Sequence, residues 1–182
     1  MPSAVFLDRD GVLSRSVVVD GKGYAPRSLA DFRLLPNAAR SVARLHRAGF
    51  QVIVVTNQPD IGNGLVNDRV VAAMHDKLRS RTLVDEIVMC PHRQNAGCRC
   101  RKPNPGMLVD SAARRGLNLT TSFMVGDRAS DVVAGQRAGC RTVFIDRRYA
   151  EAPPEGQTAT VGSLVAAVNY ILSLTPIYDD VA

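Results

Sequence analysis

Residues 4–11 read Ala4-Val5-Phe6-Leu7-Asp8-Arg9-Asp10-Gly11, four apolar residues running straight into two carboxylates and a glycine. An unbroken apolar run of this length predicts a strand buried on both faces, because a half-exposed strand would alternate with polar residues. Similar runs recur at 50–55 (FQVIVV), 86–89 (EIVM), 123–125 (FMV) and 142–145 (TVFI), and a last strand is expected after the 151–157 loop. Between them the apolar spacing predicts helices over 37–48, 67–80, 105–115, 129–138 and 163–174. Asn67 and Ser163 stand where N-caps belong, and Gly49, Gly116 and Gly139 where helices stop. Strand and helix in alternation predict a doubly wound parallel sheet of the α/β class, whose ligand sits beyond the carboxyl ends of the strands. The polar motifs should therefore follow the apolar runs, and they do.

Composition agrees with one globular domain. The 182 residues, 46% hydrophobic and 22% charged, are enough for a single full core. The domain is assigned to residues 1–174 and a loose C-terminal tail to 175–182. The opening MPSAVFLDRDG lacks a basic segment followed by a long apolar one, and no apolar run approaches a membrane span, so a cytoplasmic protein without membrane contact is expected. All 23 Lys and Arg precede residue 149, while Glu151, Glu155, Asp179 and Asp180 follow it. The basic residues are scattered singly, which suits a small phosphorylated metabolite better than a nucleic-acid surface. A monomer is expected. Only three of the 23 are Lys, which makes the place of each Lys informative.

Asp8 and Asp10 are alternate residues of an extended segment and should project into one site, with Gly11 letting the backbone turn beside a ligand. Two like charges so close call for a cation or a shared proton, and hard oxygen ligands beside a phosphate favour Mg²⁺. An aspartate can attack phosphorus while a neighbouring acid protonates the departing alkoxide. Thr56-Asn57-Gln58 closes the second run with a hydroxyl, amides and free N–H groups that can hold phosphate oxygens. Gly126-Asp127-Arg128-Ala129-Ser130-Asp131 closes the fourth. There Asp127 could complete a metal site, with Asp131 bracing it in the outer coordination shell or compensating a helix N-terminus. Lys102 precedes Pro103-Asn104-Pro105-Gly106, a stiff turn into a helix, and could meet a phosphoryl group as a point charge.

In this order, DRDG, TNQ, Lys before a Pro-Gly helix start and GDRASD resemble the motifs of the haloacid dehalogenase-like phosphatases, across about residues 3–147. The resemblance implies that Asp8 is the nucleophile and a Mg²⁺ ligand. It makes Asp10 the acid/base, touching the metal through its backbone carbonyl, and Asp127 the third protein ligand. Thr56, Asn57 and Lys102 would hold the phosphoryl group. The spacing leaves no room for an inserted cap domain, so substrate selection is left to loops 14–35 and 90–101.

Loop 90–100 holds Cys90, His92, Cys98 and Cys100, three of the four cysteines and one of the three histidines. Such a set is a common structural zinc site, and thiols one residue apart pair poorly as disulfides. Cys140, after Gly139, reads as core packing. Joined to DRDG and TNQ, this loop resembles the zinc-loop branch of the family that acts on heptose 1,7-bisphosphate or histidinol phosphate. Zn²⁺ would be structural and stand beside the active site. The resemblance makes Arg101 and Arg128 candidates for recognising the rest of the substrate, and Gly23-Tyr24 a pocket-lining pair. Val12 stands where the branch often has Thr, and the loop before Gly23 is longer. A sugar bisphosphate is the expected substrate. Histidinol phosphate, a polynucleotide 3′-phosphate and a zinc-stabilised binding protein without catalysis are the alternatives, although the chain has no GxxxxGK[ST] kinase motif.

Overall fold

The computed structural model describes residues 1–174; the expected C-terminal tail, 175–182, lies outside them. Among the described residues, eight strands and six α-helices follow one another as β1 (Ala4–Leu7), β2 (Val17–Val19), β3 (Lys22–Tyr24), α1 (Ala38–Arg47), β4 (Gln51–Asn57), α2 (Pro59–Gly62), α3 (Asp68–Thr82), β5 (Glu86–Cys90), α4 (Gly106–Arg115), β6 (Phe123–Gly126), α5 (Ala129–Ala138), β7 (Arg141–Ile145), β8 (Ala159–Val161) and α6 (Leu164–Ser173). Six strands form one sheet in the order β5-β4-β1-β6-β7-β8, each pair parallel. The chain fills one side of β1 and then crosses to fill the other, so β1 sits at the switch point where a doubly wound sheet opens a crevice.

The two faces of β1 explain its sequence. Val5 and Leu7 pack into a core with Val42, Leu45, Met74, Leu78, Val168 and Ile171 from α1, α3 and α6. Ala4 and Phe6 point the other way, onto Met107, Leu108 and Ala112 of α4 and Ala134 of α5. β4 divides likewise, Val52 and Val54 to the first core and Ile53 and Val55 to the second. Burial on both faces requires continuous apolar strands. Asn67 and Ser163 cap α3 and α6 as expected, accepting from the Arg69 and Ala166 amides at 2.9 and 3.2 Å.

Two elements were not anticipated. Val17–Val19 and Lys22–Tyr24 pair as an antiparallel hairpin outside the main sheet, across a turn with positive φ at Asp20 and Gly21. An Asp-Gly pair between apolar residues is a strong hairpin signal. The other is the single turn of α2, begun by Pro59. No cap domain is inserted among the described residues, and no helix among them is long and apolar enough to cross a membrane.

Candidate active site

Parallel pairing in register places Leu7 beside Val125, and the Asp8 amide donates to the Val125 carbonyl at 2.9 Å. Asp8 and Asp127 therefore leave neighbouring strands at the same level. Lys102 reaches between them from the turn before α4, its Nζ 2.8 Å from Asp8 Oδ1, 2.6 Å from Asp131 Oδ1 and 2.7 Å from the Val55 carbonyl. The Asn57 side chain fixes the lysine's backbone from both sides, donating to the Lys102 carbonyl at 3.0 Å and accepting from its amide at 3.1 Å. Asp131 does two things at once: its second oxygen accepts the Arg128 amide at 3.0 Å and caps α5.

Carboxylate oxygens of Asp8, Asp127 and Asp131 lie within 4.8 Å of one another, all buried. One ammonium faces three carboxyls. Burial pushes the Asp8 pKa up to about 6 even against the pull of Lys102. Burial, then the charges of Asp8 and Asp131, hold Asp127 well above the usual carboxylate range. Both Asp127 oxygens are buried, and the Tyr149 hydroxyl is the one hydrogen-bonding group beside them among the described residues. Buried oxygens with so few donors, in a cluster with excess negative charge, are what a small, hard divalent cation satisfies, so these residues fit Mg²⁺. The backbone is tight here: Gly11 has φ +85°, and a Cβ on it would stand 1.7 Å from Asp127 Oδ2.

Asp10 opens on the same cleft, but its carboxylate stands apart from that cluster. The chain turns immediately after β1, so the side chain is taken by Arg9 Nε at 3.1 and 3.0 Å, Arg9 Nη2 at 2.8 Å, Ser14 Oγ at 2.9 Å and Gln58 Nε2 at 2.9 Å. Gln58 also donates to buried Thr56 Oγ1 at 2.8 Å.

The cleft, about 610 Å³, is lined by Asp8, Asp10, Thr56, Asn57, Lys102 and the hairpin residues Gly23 and Tyr24. A Cβ on Gly23 would lie 2.7 Å from the Tyr149 ring, so only glycine lets the hairpin seat there. Arg101 lines the cleft with a buried Nη1 that has no partner among the described residues. Arg128 donates to the Gly23 carbonyl and pairs with Glu151 at 3.3 Å, while Arg27 pairs with Asp60 at 2.7 Å.

The loop after β5 gathers Cys90, His92, Cys98 and Cys100. Sγ–Sγ distances are 3.6 Å (Cys90–Cys98) and 3.5 Å (Cys98–Cys100), and His92 Nδ1 lies 3.5 Å from Cys90 Sγ and 3.3 Å from Cys100 Sγ. Disulfides would need about 2.05 Å, whereas a tetrahedron around Zn²⁺ has edges of about 3.5–3.8 Å. The set is compatible with zinc. Cys140 is buried in the α4–α5 core, as expected.

Several residues escaped the sequence reading: Arg9 and His75 behind Asp10, Tyr149 against Gly23 and Asp127, Glu151 at the cleft, and the Arg27–Asp60 pair. A charged residue such as Arg9 is rarely expected to be fully buried, and contacts across distant loops leave no spacing signal.

The description HAD-hydrolase-like belongs to the family model that matches residues 99–163, the stretch carrying Lys102, Asp127 and Asp131. That hydrolase class is the one the doubly wound sheet and its strand-end carboxylates define. Over almost its whole length the chain is 34% identical to the D-glycero-beta-D-manno-heptose-1,7-bisphosphate 7-phosphatase of Pseudomonas aeruginosa, covering 93% of this chain and 98% of that one. It is 37% identical to the D-glycero-alpha-D-manno-heptose-1,7-bisphosphate 7-phosphatase of Mycobacterium tuberculosis, over 78% of each. The crystal structure of D,D-heptose 1,7-bisphosphate phosphatase from B. bronchiseptica, complexed with magnesium and phosphate, superposes with a TM-score of 0.80 at 33% identity, covering 94% of this chain and 98% of that one. The chain belongs to the haloacid dehalogenase-like phosphatases, beside relatives that carry the heptose bisphosphate phosphatase name.

Proposed function

We propose that this phosphatase removes the 7-phosphate of a D-glycero-D-manno-heptose 1,7-bisphosphate through an aspartyl-phosphate on Asp8. Asp8 attacks phosphorus, the phosphorus–oxygen bond to C7 breaks, and Asp10 gives its proton to the departing alkoxide. Water then attacks the acyl-phosphate and returns a proton to Asp10, releasing phosphate and Asp8. Lys102, the Thr56 hydroxyl and the Asn57 backbone hold the phosphoryl oxygens, and the Asn57 side chain keeps Lys102 in place. Asp8, Asp127 and the Asp10 carbonyl would hold Mg²⁺, with Asp131 supporting them. When bound, the metal supplies charge neutralisation for Asp8 and the phosphoryl group.

The observation that carries the substrate reading is the buried Arg101 Nη1, without a partner among the described residues, in the cleft beside Lys102. A guanidinium in that state suits an anion lying beyond the reacting phosphate, and the second phosphate of a bisphosphate is one. Histidinol phosphate would bring an ammonium instead, yet Asp60 and Glu151, the cleft carboxylates outside the catalytic group, are already paired with arginines. Arg101→Ala should raise KM for the bisphosphate at least about tenfold and leave an aryl phosphate nearly unchanged. Equal losses on both would place Arg101 at the reacting phosphoryl group, and faster turnover of histidinol phosphate by the unmodified enzyme would overturn the assignment. Arg128, with Gly23 and Tyr24, would border the same substrate. The relatives' names differ in anomer, so both anomers belong in the assay.

Zinc in the Cys90, His92, Cys98 and Cys100 set would hold the loop that carries Arg101 and perform no chemistry. A reducing compartment suits those thiols, which supports a cytoplasmic location.

A further inference from the structure

Behind Asp10 lies a polar chain that neither the metal cluster nor the phosphate cradle uses. Arg9 is completely buried. Its Nε and Nη2 fork the Asp10 carboxylate, its Nη1 lies 3.0 Å from His75 Nε2, and its guanidinium stacks 5.3 Å from the centre of the Phe32 ring. His75 comes from α3, an element that contributes nothing else to the acid/base group.

We propose that His75 is a positioning residue for proton transfer: by accepting the Nη1–H of Arg9 it fixes the guanidinium that holds Asp10 in place. The inference rests on the reading of Asp10 as acid/base. A buried guanidinium seeks an acceptor for each of its N–H groups, and where one is missing it turns toward another. With Phe32 fixing the plane of the group and His75 its rotation, the fork can close on Asp10 in one way only. The imidazole suits this task at neutral pH. Burial and then the Arg9 charge lower its pKa to about 4, so it presents a neutral acceptor nitrogen to Arg9. The other hydrogen bonds to the carboxylate, from Ser14 and Gln58, keep Asp10 facing the cleft but do not orient Arg9.

The leaving group supplies a readout that a merely structural role would not move. Departure of an alkoxide needs the Asp10 proton, whereas p-nitrophenolate leaves without it, and kcat/KM reports events up to that departure. His75→Leu should lower kcat/KM for an alkyl phosphate such as glycerol phosphate by about 10-fold to 100-fold, and for p-nitrophenyl phosphate by less than about 3-fold. Asp10→Asn should give the same signature more strongly. His75→Gln, whose amide oxygen can accept from Arg9, should stay within about 3-fold of the parent on both esters. Should His75→Leu fail to fold, His75→Asn, too short to reach Nη1, carries the same expectation. Equal losses on both esters, or none on either, would overturn the proposal. A parent enzyme that turns over neither ester would instead discard the phosphatase mechanism beneath it.

Discussion

The carboxylate centre and the cysteine-histidine loop both gather metal-binding atoms, yet they are built in opposite ways. Asp8 and Asp127 follow adjacent strands of a buried sheet, and buried Lys102 bridges Asp8 to Asp131 beside them. Their geometry comes from strand register and stands against electrostatic repulsion. Cys98 and Cys100 are half-buried and His92 is exposed, on a stretch between β5 and α4 without regular structure. Hydrogen bonds such as Asn104 Nδ2 to the Cys98 carbonyl at 2.9 Å and the Gly62 amide to the Pro91 carbonyl at 2.9 Å tether it to its surroundings. In the first region the fold prepares a place for a cation; in the second the cation would complete the fold, as structural zinc does.

The largest expected effect breaks the first region chemically and spares its architecture. Asp8→Asn should cut turnover by more than about 10⁴-fold, since an amide cannot form the acyl-phosphate, while the melting temperature stays within a few degrees or rises as repulsion is relieved. Activity within tenfold of the parent would remove Asp8 as nucleophile. Asp10→Asn should cost about 10²–10⁴-fold in kcat/KM on alkyl esters, measured beside it.

Cys98→Ser tests the opposite behaviour. It should lower the melting temperature by about 5 °C or more, and elemental analysis should find one zinc per chain in the parent and none in the variant. The kcat of the protein that remains folded should stay within about threefold. If stability and zinc content are unchanged, the contrast between the two regions collapses.

The smallest effect is a pH-dependent one at the carboxylate centre. The Asp8 pKa is raised from 3.8 to about 6 in the folded, metal-free chain. Its contribution is therefore most favourable below about pH 4 and is lost as pH rises through about 6, on the order of 2–3 kcal/mol in all. Mg²⁺ should relieve that loss, so millimolar Mg²⁺ should raise the melting temperature by several degrees at pH 7.5 and by clearly less at pH 5. A shift independent of pH would mean that the ion binds away from Asp8. EDTA should reverse the shift.

Much was legible without coordinates because the signals were local. A strand buried on both faces has to be continuously apolar, so β1, β4, β6 and β7 announced themselves, and the polar residues following them had to lie at the open edge of the sheet. The zinc-type set was visible because its four members fall within eleven positions. The 17–24 hairpin was equally local; its Asp20-Gly21 turn was there to be read. What no local pattern contained was partnership across long separations. Arg9 and His75 are 66 residues apart, and Asp8 and Lys102 are 94 apart. Sequence by itself determined the doubly wound class, the strand-end aspartates and the cysteine-histidine set, because each depends on burial and spacing along one segment. Only tertiary structure decided that Asp131 joins Asp8 and Asp127, that Asp10 is held by Arg9, and that Asn57 secures Lys102, because those outcomes depend on which side chains meet when separate strands and loops come to the same edge of the sheet.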